Sequence, residues 1–291
     1  MDFAQQLVNG VQIGSVYALV AIGYTMVYGI AKMINFAHGD IIMVGSYVAL
    51  LFFQSSGLPV WGVIAATAAV SAVLGVTIER LAYKPLRGGS RMSALITTIG
   101  VSLMLQNGFL LIFGSSPKPF PNHFTGEGFT LGGVTVSRLT AITLVVTVVL
   151  MVLLTLFVNR TRVGKAMRAV SEDQGAAQLM GINIDTSISI TFAIGSALAA
   201  VAAVLYSSTY PLINPYMGSM LGLRAFIAAV IGGIGVIPGA MIGGFIIGIA
   251  EALIKRYISS AMADAIVFAV LIIVLLVRPT GILGKKITEK V

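Results

Sequence analysis

Catalysis needs titratable or nucleophilic groups within reach of one another, and this 291-residue chain has few. It contains no cysteine and two histidines, His38 and His123. Disulfides and thiolate nucleophiles are excluded, and imidazole metal ligation has little to draw on. The Gly-x-x-x-x-Gly-Lys-Ser/Thr phosphate loop, the Gly-x-Ser-x-Gly elbow and the His-Glu-x-x-His zinc helix are all missing. No catalytic residue, cofactor or metal is therefore expected. The ionisable residues that stand out are Asp40, Arg224 and Glu251, placed at or beside apolar segments where a buried charge is expensive. They could form a relay, or they could sit at helix ends and reach water. The second reading is preferred for Asp40 and Arg224, while Glu251 has Lys255 four residues on as a helical partner.

The elements that hold these residues are membrane helices. The chain is 57% hydrophobic and 10% charged, with a mean hydropathy of +1.00, against roughly 25% charged residues in soluble domains. A water-facing surface cannot be built from so few charges. At roughly 20 apolar residues per crossing there is room for about eight crossings. Uncharged runs lie at Leu7 to Tyr28, Ile41 to Phe53, Val60 to Ile78, Ser93 to Phe113, Leu139 to Val158 and Ser187 to Thr209. Two more span Ala225 to Ala250 and Ala265 to Val277. Strand-like alternation is absent, so the fold class is all-α, a polytopic transmembrane helical bundle of residues 1–291 with broken or re-entrant segments. Asp2 stands where a signal peptide would carry basic residues, so the first run reads as a retained helix.

Orientation follows from lysine and arginine. Twelve of the 18 basic residues fall in Glu79 to Met92, in Asn159 to Asp185 and in the tail from Arg278 to Lys290. All three are expected in the cytoplasm, including the C-terminus, with no nucleic-acid role for the net charge of +8. The proline-rich stretch 114–138 then falls outside, as does the amino terminus. Three runs after Asp185 would leave the tail on the wrong side. Splitting the glycine-rich run into Met217 to Gly235, a turn at Val236 to Gly239 and a helix from Ala240 to about Arg256 restores parity, with the loop near Ser259 outside.

Two places join apolar segments through a break: Asn35, Phe36, Ala37, His38, Gly39 and Asp40 in one, and Gly232, Gly233, Gly235, Pro238 and Gly239 in the other. Paired breaks in two parts of a chain point to a substrate path, because the backbone groups they free need a protein-lined or wet cavity. An ordinary loop and a packing kink are the plainer alternatives. Small residues four apart, Gly10/Gly14, Gly218/Gly222 and the run Gly232 to Gly248, allow close helix approach, with that run expected at the tightest contact. The loop 159–185 is rich in helix formers, with Arg168 and Glu172 at i,i+4 spacing and Gly181 able to end a helix. It reads either as an amphipathic helix for a partner's groove or as a solvated connector.

Four stretches in order, Asn35 to Asp40, Glu79 to Gly88, Gly164 to Ile182, and Gly232 to Gly235 with Pro238-Gly239, closely resemble the permease subunits of bacterial branched-chain amino acid ABC transporters. The similarity runs over nearly the whole chain. It implies a multi-pass inner-membrane permease for leucine, isoleucine or valine, itself not an enzyme. The implied partners are a second homologous permease subunit, two cytoplasmic ATP-binding subunits and a periplasmic substrate-binding protein. It also implies that Gly164, Arg168, Ala169, Glu172, Asp173, Ala177 and Gly181 belong to the segment that meets the ATPase. Related permeases carry urea, short amides or other amino acids, and an ion-coupled secondary transporter or a non-transporting scaffold are further classes. A membrane-impermeant amine reagent applied to each face of sealed vesicles is expected to modify Lys165 from the cytoplasmic face only.

Overall fold

The computed structural model describes residues 2–284 apart from residues 88, 125, 127, 132 and 279. Lys285, Lys286 and Lys290 of the basic tail, and Gly88, lie outside the described residues. The described residues form a helical bundle: α1 (Asp2–Ala31), α2 (His38–Ser55), α3 (Val60–Ile78), α4 (Arg91–Phe113), α5 (Arg138–Arg160), α6 (Arg162–Glu172), α7 (Gln174–Leu179), α8 (Ile184–Thr209), α9 (Met217–Gly232), α10 (Ile237–Tyr257) and α11 (Ala263–Val277). A π-turn, Glu79–Tyr83, and a 3-10 turn, Lys84–Leu86, extend α3. Six of these helices, α3 with its extension included, are long and apolar enough to cross a membrane, and α9 and α11 are shorter apolar helices. Four short strands complete the chain, β1 (Lys118–Pro119), β2 (Phe129–Leu131), β3 (Val134–Val136) and β4 (Leu212–Ile213), with β1 antiparallel to β4 and β2 to β3.

The core forms around α1 and α8, while α4 and α5 keep most of their apolar surface exposed. Glycine explains why α1 and α10 make the most extensive helix pair. A Cβ on Gly10 would lie 2.6 Å from Ile249 Cα, one on Gly14 would lie 2.9 Å from Phe245 Cα, and Gly248 faces Gly14 closer still. The four-residue glycine spacings of the two helices thus interlock, and no larger residue fits between the backbones.

The helix starts divide by surroundings. Ser90, Ser137, Thr161, Asp173 and Asn183 cap α4 to α8 with side-chain bonds to Ser93, Thr140, Gly164, Ala176 and Thr186 amides. Ala37, Tyr216 and Val236, which start α2, α9 and α10, make no side-chain cap. Pro59 before α3 and Met262 before α11 make none either.

The glycine-rich run is divided as parity requires, but α10 starts at Ile237, so Pro238 opens the helix instead of closing a turn. The first helix is longer than its uncharged run, and His38, Gly39 and Asp40 are already helical. The 159–185 segment is two helices, parted at Asp173, whose extended backbone leaves α6 and caps α7.

Side-chain pairs sort the loops to two ends of the bundle. Lys84 and Arg87 both bind Asp185, so 79–87 and 159–185 share one end. Gln5 exchanges hydrogen bonds with the Thr135 backbone at 3.0 and 2.9 Å, and His123 stacks on Phe53 at 4.3 Å, which sets 114–138 and the start of α1 at the other. α10 runs antiparallel to α1, so Lys255 and Arg256 also lie at that second end. Gly14→Val is expected to cost about 1–3 kcal/mol by overpacking against Phe245, read as a lower melting temperature of the detergent-solubilised protein.

Candidate functional site

The first break follows from where α1 stops. Lys32 adopts φ 55°, turning the chain out of α1, and six residues later α2 starts with the His38 amide donating to the Asn35 carbonyl at 3.1 Å. α2 begins inside the protein: His38, Gly39 and Asp40 are all buried. A Cβ on Gly39 would lie 3.0 Å from Gly222 Cα, and one on Gly218 would lie 3.0 Å from Asp40 Cα, so the starts of α2 and α9 touch through glycine.

The second break needs glycine for its dihedrals. Gly233 at φ 105° and Gly235 at φ 96° lie in the region L-residues avoid, and together they reverse the chain between α9 and α10. Gly232 and Gly239 pack backbone to backbone across that reversal, with Ala240 N 2.8 Å from a Cβ placed on Gly232. The chain after α11 closes it from outside, the Ile282 and Leu283 amides donating to the Ile231 and Gly232 carbonyls at 2.8 and 3.1 Å.

The two breaks converge. A Cβ on Gly29 would stand 3.2 Å from Gly235 Cα, and between the breaks lies a cleft lined by Tyr24, Tyr28, Ile34, Asn35, Phe226, Ala229 and Ile234. Its free space, about 10 Å³, is on the order of one water, so the cleft holds no larger molecule in this conformation. Of the residues singled out from sequence, Asn35 lines the cleft directly. Phe36 stands behind it with its ring 6.1 Å from Phe226, and His38 meets Tyr24 edge-on at 4.6 Å. Gly232, Gly233, Gly235, Pro238 and Gly239 shape the second wall, from which Ile234 enters the cleft. Tyr24, Tyr28 and Phe226 escaped the sequence reading because they sit inside uninterrupted apolar runs. The four-residue spacing of Tyr24 and Tyr28 just before the first break was the available signal.

Two of the three ionisable residues correct their expected solvent-reaching placement. Asp40 is buried and accepts from Gln106 Nε2 at 2.9 Å, and Gln106 also donates to Ser219 on α9 at 2.9 Å. Arg224 lies in the middle of α9, with its side chain 15% exposed. It donates to Tyr17 Oη at 3.1 Å, to Glu251 Oε1 at 2.9 Å and to Asp264 Oδ1 at 3.0 Å. Tyr17 donates in turn to Glu251 at 2.6 Å, and the i,i+4 partner Lys255 binds Glu251 as expected. Two cations and two carboxylates thus neutralise one another where α1, α9, α10 and α11 meet. A third cluster at the other end joins buried Glu79 to Arg87 and to Ser189 on α8, with Arg87 and Lys84 reaching Asp185. Among the described residues no three His, Asp or Glu side chains come together as metal ligands.

In the segment 159–185, α6 is strongly amphipathic. Gly164, Met167 and Val170 form the buried stripe of α6, and Gly164 is pressed against the Val158 backbone at the end of α5. Arg168 points out, donating to the Asn159 carbonyl at 3.4 Å, with Ala169 half-buried beside it and Glu172 and Asp173 exposed. Ala177 is buried beneath α7. The Gly181 amide bonds to the Gln178 carbonyl and the Ile182 amide to the Ala177 carbonyl, and with Gly181 at φ 79° this is a complete Schellman stop. Leu179 and Met180 stand 90% and 82% exposed at that stop.

A helical bundle with six helices long and apolar enough to cross a membrane and two helix breaks meeting at one cleft is an architecture that membrane transporters use. Residues 6–275 match the family described as the permease component of branched-chain amino acid transport systems, and the chain belongs to that family. It is 48% identical over 210 residues to the high-affinity branched-chain amino acid transport system permease proteins BraD of Pseudomonas aeruginosa and LivH of Escherichia coli, covering 68% of this chain and 68% of each relative. A probable branched-chain amino acid transport permease of Methanocaldococcus jannaschii is 31% identical over 62% of this chain and 59% of its own.

Arg224→Met should destabilise by about 1–3 kcal/mol, because it removes one of the two cations on buried Glu251 and leaves that carboxylate to Lys255 and Tyr17. Combining it with Glu251→Gln is expected to recover part of that loss in a double-mutant thermal-denaturation cycle.

Proposed function

We propose that this chain is one of two permease subunits of an ATP-driven importer that carries branched-chain amino acids across the bacterial inner membrane. The observation that carries the reading is the meeting of both helix breaks at one cleft whose walls, apart from the Asn35 amide, are aromatic and aliphatic and bear no ionised side chain. An aliphatic zwitterion has no net charge to neutralise, so such a lining suits it, whereas a charged substrate would need a counter-charge at close range. The names of the 48% identical relatives point to the same substrates.

The chain has no phosphate loop, so the work of closing and opening the cleft comes from two cytoplasmic ATP-binding subunits. A periplasmic binding protein delivers the substrate to the face carrying 114–138. On this reading residues 1–291 are one permease unit with its C-terminus in the cytoplasm, and 159–185 is the cytoplasmic coupling segment. Gly164 seats α6 on α5, Arg168, Ala169 and Glu172 present its outer face, and Asp173, Ala177 and Gly181 fix α7 beside it. A two-helix element held by a cap, a buried stripe and a Schellman stop is stiff enough to pass on a push.

An ion-coupled carrier is the competing class. Its ion site would call for charged groups lining the path, and here Arg224 and Glu251 bind one another while Asp40 accepts from Gln106, and none of the three lines the cleft. Gly181→Val strains the left-handed stop, and Glu172→Ala removes a charge from the outer face. In the full complex either substitution is expected to lower uptake about tenfold while ATP hydrolysis and membrane levels persist. Unchanged uptake in both would remove the coupling assignment, and ion-driven uptake by this chain alone in liposomes would remove the ATP-driven one.

A further inference from the structure

Asn35 is placed to cap a helix and does not do so. Asparagine ahead of a helix ordinarily turns its side chain onto the first free amides, yet α2 takes its start from Ala37 and uses only the Asn35 main-chain carbonyl. The side chain is 1% exposed, and neither Nδ2 nor Oδ1 bonds to another protein atom. His38 Nε2, Asp40 Oδ2 and the hydroxyls of Thr25, Tyr47, Thr67, Ser71 and Thr155 are likewise buried without a protein partner, but of these residues Asn35 is the one that lines the cleft. A buried amide with both poles unspent is costly and is kept where something else uses it.

We propose that the Asn35 amide is the polar reader of the substrate within the path. Oδ1 accepts from the ammonium group of an α-amino acid zwitterion, and Nδ2 donates to its carboxylate. The substrate's aliphatic side chain lies against Phe226, Ala229 and Ile234. A single amide supplies one acceptor and two donors without net charge, so it matches both poles of a zwitterion and leaves no unpaired ion in an apolar site once the substrate has gone. A carboxylate or an ammonium at the same position would hold one pole and repel the other. Tyr24, packed edge-on against His38 and Phe226 at 4.6 and 5.8 Å, keeps the first break beside this wall.

The inference rests on the importer reading, and its test separates the two. The full complex, with its second permease, ATP-binding subunits and binding protein, is reconstituted into proteoliposomes and assayed for leucine uptake. Direct binding of labelled leucine to the complex without the binding protein is measured in parallel, with the uncharged analogue isocaproamide as competitor. Asn35→Leu, which fills the same space without polar groups, is expected to lower both uptake and direct binding at least about tenfold while the melting temperature and ATP hydrolysis hold. Asn35→Gln should keep a measurable share of both. Isocaproamide should compete poorly against the unmodified complex. Wild-type uptake and binding in the Asn35→Leu complex would overturn the assignment, as would competition by isocaproamide equal to that of leucine. If Asn35→Leu does not assemble, Asn35→Asp decides: near-normal uptake overturns the proposal and loss of uptake upholds it. A wild-type complex that imports no branched-chain amino acid sinks the importer reading itself.

Discussion

The structure depends on one constraint, that a polypeptide interrupted inside an apolar surround must still satisfy its backbone. Regular helices do this internally, whereas breaks release amides and carbonyls that lipid cannot accept. Here close backbone packing shields the breaks, and hydrogen bonds from a distant segment take up part of what the second one releases. The Gly39 start of α2 lies on Gly218 and Gly222, the Gly232 end of α9 lies on Gly239, and the chain at 282–283 supplies amides to the Ile231 and Gly232 carbonyls. Any Cβ at these glycine positions would push the backbones apart. Glycine is thus the means by which the bundle tolerates two irregular segments beside an interior cleft.

Charge is handled by the same economy of partners. Arg224, Glu251, Asp264 and Lys255 sum to zero within one cluster, with Tyr17 filling the remaining Glu251 oxygen. Glu79 is fully buried yet has Arg87 and Ser189. A low-dielectric interior makes each such group costly alone and tolerable in company. The consequence for transport is that the cleft walls stay uncharged although ionised groups lie on the same helices.

Much of this was legible in the sequence. The all-α bundle and the approximate position of its apolar helices followed from apolar length, although about eight crossings are expected from it and six helices are long and apolar enough to cross. The division of the glycine-rich run followed from parity. The pairing of Glu251 with Lys255 followed from helical spacing. Both breaks were visible as glycine, proline and polar residues inside apolar runs, but their convergence on one cleft was not. What could not be seen were long-range partners. Asp40 lacks any local hint of Gln106, 66 positions away, and Arg224 finds Tyr17 at a separation of 207. Solvent-reaching ends are the default for a charge beside an apolar run, and that default fails when tertiary packing brings a counter-charge. The aromatic wall was hidden for a related reason: hydropathy does not distinguish a tyrosine facing a cleft from one facing a neighbour.

The clamp at Asp185 ties sequence-distant pieces into one body. Asp185 sits in the first turn of α8, immediately after α7, and holds both Lys84 and Arg87, while Arg87 also grips Glu79 and Ser189 grips it from α8. The same π-turn carries Tyr83, whose hydroxyl faces the Ile34 carbonyl at 3.5 Å and whose ring lies 5.0 Å from Phe192. Ile34 borders the cleft. A tilt of α7 that drags the head of α8 therefore has a short mechanical lever, through an over-wide helical turn, to the wall beside Asn35.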